Sequence, residues 1–291
     1  MGAPRILVVD GNLAATREKQ IAAGGHGSGE GYAATLASLL PEVHCDIVRP
    51  ADEPVRLPSG MALEDYDGVA ITGSALNVYD GGPHITRQIE LGRAVFDAGV
   101  PFFGSCWGLQ VAVAAAGGEV RKNPLGREFG FGRRIALNAA GRSHPMFEGK
   151  PDVFEAVTVH RDEIASLPPG SIALATNEFG LQAAQIPFGR GTFWGVQYHP
   201  EYGYAEIAAT AVRYGPTLLA EGMFANEDDL ARWIADMREL ERDPVSPTLC
   251  WRHGLGPSMQ DRRRKLAEID NWLQQRVLPF RASRDRAWLA R

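Results

Sequence analysis

Cys106 stands in the run Gly104-Ser105-Cys106-Trp107-Gly108, after the apolar stretch Val100-Pro101-Phe102-Phe103 and before Leu109 to Ala116. An apolar strand, a nucleophile and then a helix form the pattern of a nucleophile elbow, with Cys in place of Ser. Glycines flank such a turn because side chains there would strike the neighbouring backbone. The turn sets the sulfur at a helix N-terminus, where the dipole favours the thiolate, the attacking form. Taken alone, a Cys in an apolar strand–helix unit reads first as core, since free Cys is among the most buried residue types. A second motif turns the reading toward chemistry. Gly195-Val196-Gln197-Tyr198-His199-Pro200-Glu201 ends a strand-like run that starts at Gly191. Alternate residues of an extended segment point the same way, so His199 and Glu201 can act together. His199 would take the thiol proton and Glu201 would hold the imidazole.

These groups need elements to carry them. Arg5 to Asp10, His44 to Arg49 and Asp67 to Thr72 read as apolar strands, and Tyr32 to Leu40 and Pro83 to Ala98 as helices. Strand–helix alternation up to the elbow predicts an α/β fold with a doubly wound, mostly parallel sheet. From Glu128 to Phe193 the pattern changes to strands and turns, including Arg133 to Leu137 and Ile172 to Ala175, which predicts antiparallel additions. Glu206 to Ala220 reads as a closing helix. Gly24 to Gly31 is glycine-dense but has neither the GxGxxG spacing nor a following Gly-Lys-Ser/Thr, so it is expected to be a flexible surface loop near the site. The chain divides into a domain over 1–221 and a helical extension over 222–291. In the extension, Asp228 to Glu241 and Gln260 to Val277 read as amphipathic helices, and Arg262-Arg263-Arg264-Lys265 as a solvated face. The extension is expected to pack on the domain or at a subunit contact, compatible with a homo-oligomer, and to supply no reacting group.

The motifs resemble those of class I, triad-type glutamine amidotransferases, in the branch related to the glutaminase domain of GMP synthetase. The elbow through Gln110 matches that family's Gly-x-Cys-x-Gly-x-Gln, and Gly195 to Glu201 its Gly-x-Gln-x-His-Pro-Glu. Val69 to Ser74 resembles the strand and turn that supply an oxyanion-hole amide, and Val159-His160-Arg161-Asp162-Glu163 the branch's His-x-Asp segment. The resemblance implies a flavodoxin-like domain with a Cys106–His199–Glu201 triad. Glutamine or another γ-glutamyl amide would be cleaved through a Cys106 thioester. It implies oxyanion donors in the backbone amides of Ser74 and Trp107, and substrate contacts from Gln110, His160 and Asp162. Where the family has Gly-Gly-Pro, this chain has Gly73-Ser74-Ala75. No cofactor and no metal are expected, and a separate synthetase subunit is one partner the resemblance allows.

Composition sets the outer limits. A chain of 291 residues with 45% hydrophobic and 22% charged residues can bury a full core without staples. A formal net charge of −5 gives no reason to expect nucleic acid or an anionic membrane as partner. Three scattered cysteines, Cys45, Cys106 and Cys250, form no zinc pattern and suit a reducing cytoplasm. No signal peptide or membrane span is read. Four functions remain in view. They are a glutamine-hydrolysing subunit, a self-sufficient γ-glutamyl peptidase or amine hydrolase, a degenerate regulatory module, and a Cys-based α/β-hydrolase. The apparently complete triad disfavours the third. In the fourth the acid precedes the His in chain order, whereas Glu201 follows His199.

Overall fold

The computed structural model describes residues 2–289; Met1, Ala290 and Arg291, at the outer limits of the two predicted segments, lie outside the described residues. Eleven strands are described: β1 Arg5–Val9, β2 His44–Val48, β3 Gly68–Ile71, β4 Phe102–Ser105, β5 Glu119–Lys122, β6 Glu128–Leu137, β7 Val153–His160, β8 Asp162–Ser166, β9 Ile172–Asn177, β10 Gly180–Phe188 and β11 Gly191–Val196. Nine of them form one sheet in the order β2-β1-β3-β4-β11-β10-β9-β6-β7. The first five in that order run parallel and the rest add antiparallel. β5 and β8 pair apart as a two-stranded ribbon. The expected parallel half and antiparallel additions are both present.

The helices are α1 Ala14–Ala22, α2 Ser28–Leu39, α3 Pro83–Ala98, α4 Trp107–Ala115, a short α5 Ala139–Ser143 and α6 Tyr204–Ala220. Past residue 221 come α7 Glu227–Arg242, α8 Pro247–Arg252, α9 Pro257–Gln260, α10 Arg262–Lys265, α11 Ala267–Trp272 and α12 Leu278–Leu289. β3 and β4 are buried along their whole length, as strands covered on both faces must be. One face packs Leu7, Val69, Ile71 and Phe102 against Val95 and Phe96 of α3 and Val111 of α4. The other packs Ile6, Val8, Ala70 and Phe103 against Tyr32 and Leu36 of α2 and against Trp272, Leu273 and Val277. Residues after 221 therefore complete one apolar layer over the central strands. Trp272 lies 5.7 Å from Phe103 between ring centroids.

Three expectations are corrected. The glycine-dense stretch is not a loop throughout, because α2 starts at Ser28. A Cβ on Gly29 would come within 2.8 Å of Ile47, so this glycine serves close helix–sheet packing. The Gly29 amide donates to Asp10 Oδ2 at 3.1 Å, which places a carboxylate at the α2 N-terminus. The helix read over Gln260 to Val277 is broken into short pieces. Asp261 is extended and its Oδ1 accepts from the Arg263 amide at 2.9 Å, capping a new start at Arg262. Finally, Arg262, Arg263 and Arg264 are exposed as expected, but Lys265 is partly buried and turns inward.

Candidate active site

Three adjacent parallel strands deliver the site from their C-terminal ends, the usual place for sites in open α/β sheets. Gly73-Ser74 follows β3, Cys106 follows β4 and His199 follows β11. Ser105 pairs with Val196 in the β4–β11 register, and the Cys106 amide donates to Val196 O at 2.8 Å. The elbow is thus fixed to the strand that carries His199. Cys106 takes φ +52°, a left-handed conformation unusual for a residue with a side chain. A Cβ on Gly104 would lie 2.8 Å from Gly108 Cα, and one on Gly108 only 2.6 Å from Ile71 O. Both glycines are required by close approach.

His199 Nδ1 donates to Glu201 Oε1 at 2.8 Å. The other nitrogen, Nε2, is buried and has no hydrogen-bond partner among the described residues. It is therefore the nitrogen free to exchange a proton. Burial opposes a charge on this ring, but the Glu201 carboxylate and the Cys106 sulfur outweigh it and lift its pKa from 6.5 to about 10. The imidazole stacks on Tyr202, with centroids 4.1 Å apart and planes 21° apart. Gly73 leaves room for the ring, since a Cβ there would sit 2.4 Å from His199 Cε1. Glu201 is anchored in turn: Ser105 Oγ donates to its Oε2 at 2.9 Å, and Tyr32 OH lies 3.3 Å from Ser105 Oγ.

The turn after β3 is braced by the loop after β1. Ser74 Oγ donates to Gly11 O at 2.9 Å, and the Ala75 amide donates to Asn12 Oδ1 at 3.0 Å. Trp107 is buried, and its Nε1 donates to Gln88 Oε1 at 2.7 Å. Among the described residues, neither the Ser74 nor the Trp107 backbone N–H donates a hydrogen bond. Replacing Gly-Gly-Pro by Gly73-Ser74-Ala75 therefore leaves an amide at position 74 with its capacity unspent.

Likeness to known proteins places this chain in a family. The family model of class-I glutamine amidotransferases matches residues 28–212. The chain belongs to this family. A γ-glutamyl-L-1-hydroxyisopropylamide hydrolase of Pseudomonas sp. is 34% identical over 98% of this chain and 96% of its own length. A glutamine-hydrolysing GMP synthase of Streptomyces avermitilis is 32% identical, but over 60% of this chain and only 31% of that protein. In fold, a glutamine amidotransferase from Thermotoga maritima matches with TM-score 0.60 and 19% identity over 95% of this chain and 99% of that one. As a member of the class-I glutamine amidotransferases, the protein is an amide-cleaving enzyme for a glutamine-like γ-glutamyl substrate.

Cys106, Ser74, Gln110, His160 and Asp162 line one cavity of about 250 Å³, whereas Trp107, His199 and Glu201 are not among the residues that line it. Cys106 Sγ lies 3.9 Å from Val159 O. Gln110 is buried, with its Nε2 3.5 Å from Gln197 Oε1. His160 is committed to the scaffold: Nε2 meets Glu128 Oε2 at 2.7 Å and Nδ1 meets the Asp162 carbonyl at 3.0 Å. Asp162 Oδ1 accepts from Tyr79 OH at 2.8 Å. Burial raises the Asp162 pKa against that bond and against the Arg161 charge. The same cavity holds Arg127, Tyr214 and Thr217, which the sequence does not single out. Arg127 Nε donates to Glu221 Oε2 at 2.8 Å, and its guanidinium lies 4.9 Å from the Tyr214 ring centre. Nothing local marks Arg127, whose partners stand in α6 and just after it. Among the described residues, no group of three His, Cys, Asp or Glu side chains is placed to hold a metal ion, and no helix is long and apolar enough to cross a membrane.

Proposed function

We propose that the protein hydrolyses a γ-glutamyl amide whose leaving group is a small organic amine, through a thioester on Cys106. One observation carries the choice of leaving group: the likeness to a γ-glutamyl alkylamide hydrolase extends through the segment after residue 221, whereas the likeness to a GMP synthase covers 60% of the chain. Cys106 Sγ bonds to the amide carbon while His199 Nε2 takes the thiol proton. The tetrahedral oxygen receives the amides of Ser74 and Trp107, and one such donor is typically worth ~10²–10³ in rate. The C–N bond then breaks as His199 passes the proton to the departing nitrogen. Water, deprotonated by His199, attacks the thioester and releases glutamate and the thiol. Glu201 keeps Nδ1 protonated and the ring oriented throughout. Gln110 and Asp162 serve the glutamyl end. His160 acts by fixing the wall, since both of its nitrogens are engaged by protein.

In this reading residues 1–221 hold every group that touches substrate, and 222–291 form a helical extension. The free thiols of Cys45, Cys106 and Cys250 support a reducing, cytoplasmic setting. A second reading, supply of ammonia from glutamine to a synthetase subunit, is supported by the likeness to GMP synthase. The test compares kcat/KM for glutamine, γ-glutamyl alkylamides and γ-glutamyl dipeptides with the isolated chain. A preference for alkylamides by tenfold or more is expected. Equal or better turnover of glutamine would favour the second reading.

A further inference from the structure

We infer that Lys265 and Glu268, three residues apart in the C-terminal extension, are positioning residues that hold the His199–Glu201 segment from both of its ends. The inference rests on the triad reading above. Lys265 Nζ donates to Tyr202 O at 2.8 Å, and Tyr202 is the residue whose ring stacks on His199. Glu268 accepts from the hydroxyl of Tyr198, the residue just before His199. One contact therefore falls on each side of His199-Pro200-Glu201.

This segment needs outside support. β11 ends at Val196 and α6 begins at Tyr204, so the residues between them belong to neither ladder. The His199 amide donates to Val157 O at 2.8 Å, and the Tyr202 amide to His199 O at 3.3 Å. Those bonds hold the loop by its backbone, and the ring stack and the Tyr198 hydroxyl hold it by side chains. Lys265 holds the backbone of the residue that carries the stacked ring, and Glu268 holds the Tyr198 hydroxyl.

Burying these two charges is costly unless each is paired. Glu268 is fully buried, and its Oε1 lies 2.7 Å from Lys150 Nζ, itself 1% exposed. Lys150 also donates to Arg264 O at 2.9 Å, which fastens α10 to the domain. Around Lys265, burial pulls the pKa down to about 8, while Glu241 and Glu201 work against that fall and Arg262 and Lys150 add to it. Lys265 lines one cavity together with Glu241 of α7 and Glu201. A solvated surface lysine would have no such surroundings.

The consequence is specific to the chemical step. Misplacing a reacting group by about 1 Å can cost on the order of 10²-fold. With the full chain, K265M is expected to lower kcat by ~10–100-fold and to leave KM for a γ-glutamyl amide within about twofold. Alkylation of Cys106 by iodoacetamide at fixed pH should slow in parallel, because the imidazole no longer meets the sulfur. K265R should restore most of the loss, since a guanidinium also donates to Tyr202 O. A folded K265M with wild-type kcat overturns the inference, as does a loss that appears only in KM. Y198F gives an independent arm if K265M does not fold. It removes the hydroxyl and leaves the Lys150–Glu268 pair intact. A lowered kcat at constant KM supports the inference, and an unchanged kcat overturns it. Cys106→Ala in the same assay separates the two readings: if it still turns over, the triad reading itself has failed.

Discussion

The elbow at Cys106 and the extension at Lys265–Glu268 serve one site in opposite ways. The elbow is determined within a few residues, by two glycines that let β4, α4 and β3 approach. Lys265 and Glu268 meet residues 63 and 70 positions earlier in the chain. In the proposed mechanism the first region holds the reacting atom and the second holds the loop that carries its base. The difference teaches that a compact chemical motif fixes which reaction is possible, while the alignment of its members is left to distant packing.

The comparison breaks first if the elbow is not where the covalent step occurs. Cys106→Ala is expected to reduce kcat by about 10⁶-fold with the fold intact, the scale for removing a triad nucleophile. A glutamine diazoketone should label Cys106 alone on peptide mass mapping. Burial and Asp46 push the Cys45 thiol up to about 11, and Cys250 is buried among α6–α8 side chains. Labelling of either instead would remove Cys106 from its role. Glu201→Gln should cost less, about 10⁴-fold, because the imidazole survives but loses the partner that fixes its tautomer. Equal losses in kcat for both variants would erase the division between nucleophile and orienter.

On the extension side, Trp272→Ala should destabilise the chain by about 3–5 kcal/mol in urea unfolding, since the ring fills the layer over Phe103 and Gly68. A change below 1 kcal/mol would mean the extension is only laid on the surface. Between the two regions, Gly73→Ala inserts a methyl group against His199 and should lower kcat by about 10²-fold with a melting temperature within a few degrees of wild type.

The smallest effect is in pH dependence. His199 has its pKa raised from 6.5 to about 10, so its contribution to stability is complete below 6.5 and is lost as pH rises through 10. Lys265 has its pKa lowered from 10.5 to about 8, so its burial costs stability below 8, and that cost fades as pH rises toward 10.5. The two trends oppose each other between pH 8 and 10. Removing Lys265 should therefore steepen the decline of stability with pH in that interval, measured by urea unfolding at successive pH values. A parallel curve for K265M would show that the lysine is charged to the same extent in the folded and unfolded chain.

Sequence made the sheet and the segments of the proposed triad legible because their signals are local. α3 spans Pro83–Ala98 as expected, with proline in its first turn and Gly99 in a left-handed conformation at its end. The extension resisted reading for a physical reason. Arg262 to Lys265 is a uniform run of positive charge, yet only its last member turns inward, toward Tyr202. Asp261, which starts the new helix, looks in sequence like any polar residue on a helix face. Ser105 and Tyr32 were equally silent, since their hydrogen bonds to Glu201 and to each other span distant elements.

The separation between His199 and its braces also orders events in time. The triad segment leaves the ribosome 63 to 70 residues ahead of Lys265 and Glu268. At ~5–20 residues per second this is an interval of about 3–14 s. During it, Cys106 and His199 are both present but the loop between β11 and α6 lacks its two distant contacts. The loop that carries His199 is thus completed only after the extension has been made and docked.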